Sequence, residues 1–257
     1  MTLADRIRRI GGVHWLGFFG LVLGAWAALY AMQLPPDLLA AASLYGAEFW
    51  AALCIVEPGL AGAPNIFLMW AAMSAAMMAP SFLPALATYD DLMQGRAGQR
   101  AGFAALLAGY LAVWLGFALL ATGAQLGLAG AGMLTPLGES SSRWLTAALL
   151  GGAGLYQFSA LKDACLSRCR APLTFFMQHW GAGPGAAARM GLRLGALCLG
   201  CCWALMALAF VGGTMNLAWM GLAMILMTVE KLPEIGRVLT RPLGLALLGG
   251  AALAVMM

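Results

Sequence analysis

AGFAALLAGYLAVWLGFALLATGA, residues 101–124, decides the fold: it runs for twenty-four positions without a charged side chain, just after Arg96 and Arg100. A helix needs about 20 apolar residues to cross a hydrocarbon core, and this run exceeds that. Similar runs lie near 13–32, 65–88, 143–163, 192–212, 215–231 and 241–257. The expected fold is therefore all-α: a polytopic membrane helical bundle of about seven transmembrane helices, forming one domain over 1–257. With 63% hydrophobic and 9% charged residues, the chain does not read as a soluble domain.

Charge placement sets the orientation. Arg6, Arg8, Arg9, Arg96, Arg100, Lys162, Arg168, Arg170, Arg189, Arg193, Lys231, Arg237 and Arg241 fall in the N-terminal arm and in every second gap between apolar runs, leaving only Arg143 opposite. That pattern predicts an N-in, C-out membrane protein with its basic segments on the cytoplasmic side. The first run, with its basic arm and Ala25-Trp26-Ala27, reads as a signal-anchor helix. The formal net charge of +4 is explained by the lipid bilayer and calls for no nucleic acid. Asp37 to Val56 is apolar but carries Glu48. A span there would move Arg96 and Arg100 to the outer side, so the segment reads as a re-entrant or interfacial helix, with lone Cys54 as a packing residue.

Small residues mark expected helix contacts: Gly151, Gly152 and Gly154 in the fourth run, Gly191 and Gly195 near the start of the fifth. The loop from Lys162 to Arg193 carries Phe175, Phe176, Met177 and Trp180, and is expected along the inner surface.

The chemistry-bearing residues are sulfurs. Cys165 and Cys169 are four apart, which on one continuous helix puts both thiols on one face. Their neighbours Lys162, Arg168 and Arg170 are expected to favour thiolates. Cys198, Cys201 and Cys202 follow in the fifth run. Cys201 and Cys202 project about 100° apart, so the trio is not expected to serve one ion without distortion. If the fourth and fifth helices touch at their inner ends, five thiols converge at a reducing face, where a soft ion finds them. Packing alone also accounts for many cysteines.

Met69, Met73 and Met77 form an i, i+4, i+8 stripe beside Met78 and Pro80. Met215, Met220, Met224 and Met227 stand in the sixth run. Such a stripe is a set of uncharged soft ligands suited to Cu(I), or simply a packing face. Glu230 and Lys231 read as an inner-boundary pair, and His14 and His179 as interfacial, His179 being the better ligand. No Ser/His/Asp set, phosphate loop, dinucleotide fingerprint or catalytic carboxylate pair is present, and enzyme activity is not expected.

Four stretches carry a family resemblance: Met69 to Pro80; Tyr110 to Trp114; Tyr156 to Arg170 with Pro172; and Gly191 through Cys198, Cys201, Cys202, Trp203, Phe210, Met215, Asn216 and Trp219 to Glu230-Lys231. On these the chain resembles a bacterial family of predicted metal-binding integral membrane proteins whose function is undefined. The resemblance implies Cys165, Cys169, Cys198, Cys201, Cys202 and the methionines of 69–77 as motif positions. It fixes neither metal nor activity.

The expected function is Cu(I) handling, by transport or delivery to a metal-delivery or membrane-complex protein partner, with zinc the second candidate metal. Methionines at outer and middle depth and thiols at the inner end make a weak-to-strong ligand gradient directed inward. The alternative is an assembly or scaffold subunit whose thiols are structural or exchange disulfides.

Overall fold

The computed structural model describes residues 12–32, 62–214, 216–232 and 236–256. The Asp37–Val56 segment, Cys54 and Met215 lie outside them. Ten helices are described, α1 Val13–Ala31, α2 Ala63–Met93, α3 Gln99–Gly130, α4 Arg143–Tyr156, α5 Ala160–Cys169, α6 Pro172–His179, α7 Pro184–Ala207, α8 Ala209–Gly212, α9 Leu217–Glu230 and α10 Gly236–Met256. Helix α2 packs on α1 and α3, α3 on α7, α7 on α5, and α4 on α10.

Five helices are long and apolar enough to cross a membrane: Val13–Ala31, Ala63–Met93, Gln99–Gly130, Pro184–Gly212 and Val238–Met256. The expected fourth and sixth spans are shorter. Each of α4 and α9 has 14 residues, about 21 Å of helix against a core of about 30 Å. The fourth run does not continue to Cys169 as one helix. It ends at Tyr156, and Ser159 begins α5 by accepting a hydrogen bond from the Lys162 amide at 3.1 Å, with Asp163 in the first turn.

Contacts gather the basic termini of these helices at one end. His14 of α1, Asp90 of α2 and Gln99 of α3 meet there, with His14 Nε2 and Gln99 Nε2 at 3.0 and 2.7 Å from Asp90 Oδ1. Tyr89 meets Phe176 and Trp180. Lys162 and Arg170 of the α5 region meet Glu230 at the close of α9. At the other end, the Phe210 carbonyl accepts from the Ser140 amide and the Leu137 carbonyl from Thr214. The loop containing Phe175 and Phe176 is not merely laid on the surface: both rings are buried.

Two prolines interrupt hydrogen bonding inside α2 without ending it. Pro80 has no N–H to give to the Ala76 carbonyl, and the Trp26 indole donates there instead, at 3.1 Å. Glycine permits the tightest contact. A β-carbon on Gly191 would strike the Leu106 carbonyl, and one on Gly195 would lie 2.9 Å from the Tyr110 carbonyl. These glycines thus join α7 to α3. Gly154 instead faces Leu248 and Gly244 of α10.

Candidate metal centre

Helix α7 begins at Pro184, eight residues before the expected start of its run, so Cys198 lies fourteen residues in, about 21 Å along the axis. Cys198, Cys201 and Cys202 are all buried, and their three sulfurs lie within 4.8 Å of one another. The trio, expected to serve one ion only with distortion, thus has its three sulfurs together. Cys201 swings back along its own helix and donates to the Cys198 carbonyl at 3.2 Å, which brings its Sγ to 3.3 Å from that of Cys202. Side-chain rotation absorbs the 100° between adjacent positions. The group forms a cluster able to hold a metal ion.

The contact expected between the two cysteine-bearing regions is present, but the two thiols of α5 behave differently. Cys169 lies on the side of α5 near Cys201. Cys165 packs on the backbone of α7, where a β-carbon on Gly200 would stand 2.7 Å from its Sγ. The Tyr156 hydroxyl donates to the Gly200 carbonyl beside it. Burial pushes the Cys165 thiol up, outweighing the lowering influence of Arg168. Nor do the other neighbouring cations serve it. The Lys162 ammonium is 2.8 Å from Glu230 Oε2, and Arg170 donates to the Glu230 carbonyl from Nε and Nη2.

Glu230 and Lys231 are consequently not a pair with each other. Glu230 takes Lys162, both side chains being 1% exposed. Lys231 turns into the bundle and donates to Ser81 Oγ at 2.6 Å and to Cys198 Sγ at 3.0 Å. Successive residues at the end of α9 point about 100° apart, so one faces α5 and the other faces α2 and α7.

Tyr110 of α3 completes this setting. Its hydroxyl donates to the Met78 carbonyl at 3.0 Å and lies 2.9 Å from Cys198 Sγ. Ser81 also donates to the Met78 carbonyl, at 2.7 Å. Met69, Met73, Met77 and Met78 are buried along α2, and Met220 and Met227 along α9. The C-terminal end of the α2 stripe is thus tied to Cys198 through the Met78 backbone, Tyr110 and Ser81. The roles of Ser81, Tyr110 and Lys231 escaped the sequence reading. A lysine directly after an apolar run was the available signal.

His179 is not part of the cluster. Its Nδ1 is 3.0 Å from the Phe175 carbonyl and its ring stacks on Phe175 at 4.6 Å. Among the described residues no imidazole or carboxylate joins the three thiols. Such a donor set suits a soft ion of low coordination number better than structural zinc, which takes four ligands.

The family model PpoB2, described as a copper chaperone, matches residues 67–254. No curated protein and no solved structure matches the chain. The match spans well over half the sequence and includes the three clustered cysteines, Cys165, Cys169 and the methionine stripe, so the chain belongs to this copper chaperone family.

Proposed function

We propose that this copper chaperone family member works as an integral protein of the bacterial inner membrane, receiving Cu(I) within the bilayer and passing it to a protein acceptor at the cytoplasmic side. The observation that carries the reading is the convergence of Cys198, Cys201 and Cys202, with no hard ligand among the described residues of the group. Two or three of these sulfurs would hold the ion. Cys169, near Cys201, stands where the ion could be handed on. The buried thioethers of Met69, Met73 and Met77 offer uncharged ligands on the approach, so the ion would move from weaker to stronger sulfur donors.

Seven crossings, N-in and C-out, fit this role. The basic ends of the helices gather on one side of the bundle, and that side would face the cytoplasm. The shortness of α4 and α9 fits spans completed by neighbouring turns and by local thinning of the bilayer. A cavity of about 680 Å³ opens beside α5 and is lined by Arg168, Phe175, His179 and Arg193 among others. Its basic wall would suit an acidic acceptor protein.

The test is copper binding by full-length protein purified anaerobically with reductant. Wild type is expected to bind one Cu(I) per chain, and the variant with Cys198, Cys201 and Cys202 changed to Ser is expected to lose most of that affinity. A folded triple-Ser variant that binds copper as wild type does would overturn the site. Wild type with no affinity for Cu(I) would leave the structural-thiol role as the better account.

A further inference from the structure

We propose that Lys231 sets the valence of the ion this site accepts, its ammonium being the built-in counter-charge to a Cu(I) ion held by two thiolates. The inference rests on the Cu(I) reading above and adds to it a determinant of specificity.

Lys231 Nζ is 3.0 Å from Cys198 Sγ, close enough to act on charge at that sulfur. It is fixed there by Ser81, whose oxygen accepts from Nζ at 2.6 Å while its own proton goes to the Met78 carbonyl. The Ser81 lone pairs are thereby turned towards the ammonium. The adjacent carboxylate, Glu230, is committed to Lys162. Among the described residues, no carboxylate forms an ion pair with Lys231. A cation has therefore been placed against a thiol, with its natural neutralising neighbour directed elsewhere.

Charge bookkeeping gives the consequence. When two thiols bind Cu(I), each releases its proton and the complex carries one net negative charge. With the ammonium alongside, the assembly is neutral. The same two thiolates around a divalent ion are already neutral, and Lys231 would leave a net positive charge in a site with little water to solvate it. A third thiolate would cancel that charge but leave zinc with three ligands where it takes four, and a fourth thiolate from nearby Cys169 would carry the assembly past neutrality to one net negative charge. No imidazole or carboxylate stands in the group to supply the fourth among the described residues. The lysine thus favours the monovalent ion and disfavours the divalent one.

The test compares Cu(I) and Zn(II) affinities, by anaerobic competition with chelators, for full-length wild type, Lys231→Met and Lys231→Arg in detergent. Lys231→Met is expected to weaken Cu(I) about 10- to 100-fold, the scale of one nearby unit charge in a partly desolvated site, and to leave Zn(II) unchanged or tighter. Lys231→Arg, which keeps the charge, is expected to restore the wild-type ratio. If Lys231→Met does not fold, Lys231→Gln keeps donors for Ser81 and Cys198 without the charge and gives the same readout. Equal weakening of both metals, or an unchanged ratio, overturns the assignment and makes Lys231 a packing residue. Wild type with no Cu(I) affinity overturns the copper reading itself, which separates the two failures.

Discussion

Two lysines of this protein are drawn into the helical bundle, and they are treated in opposite ways. Lys162 meets Glu230 at 2.8 Å with both side chains almost fully buried. Lys231, one residue beyond that glutamate, is given a hydroxyl and a thiol instead. The first cation is neutralised within the protein and ties α5 to α9. The second keeps its charge available to whatever Cys198 binds. Stability and specificity have thus been assigned to neighbouring residues of one helix end, because removal of a charge harms the fold only where it leaves the opposite charge buried and alone.

The largest effect should come from breaking the neutralised pair. Lys162→Met strands the Glu230 carboxylate and is expected to destabilise the protein by about 3–5 kcal/mol, measured by unfolding in detergent, with Cu(I) affinity retained in the folded fraction. Adding Glu230→Met should recover most of the loss; no recovery would mean the pair does not act as a unit. Lys231→Met is expected to cost only about 1 kcal/mol of stability, since it removes hydrogen bonds without orphaning a carboxylate. A loss as large as that of Lys162→Met would erase the contrast. Tyr110→Phe deletes the hydroxyl shared by the Met78 carbonyl and Cys198, and about 1 kcal/mol is again expected. The smallest change belongs to Met73→Leu with Met77→Leu. Volume is nearly conserved, so stability should fall by less than about 1.5 kcal/mol and equilibrium Cu(I) affinity should hold. Copper uptake into vesicles should nonetheless slow, and an unchanged rate would return the stripe to core packing.

Fold class was plain in the sequence, because runs such as residues 101–124 leave no other reading. Span lengths were less plain. Hydropathy averages over a break, and the apolar run 143–163 hid the Ser159 cap that ends one helix and begins another. That the cysteines of α5 and α7 lie in one region was legible from their spacing and from the placement of basic residues. Their geometry was not, since an ideal helical wheel ignores rotamers and Cys201 reaches back to its own helix's carbonyl. The pairing of Glu230 with Lys162 and of Lys231 with Cys198 depends on contacts between residues 68 and 33 positions apart. Adjacency in sequence suggested the wrong couple. Gly191 and Gly195 announced close packing correctly but could not say against which helix.

The most direct test of the central claim is X-ray absorption at the copper edge on anaerobically purified, Cu(I)-loaded protein. The account predicts a monovalent edge and two or three sulfur scatterers with no nitrogen or oxygen in the first coordination sphere, a signal lost when Cys198, Cys201 and Cys202 are changed to Ser. A copper site dominated by nitrogen or oxygen, or a sulfur signal that survives the triple change, would contradict it.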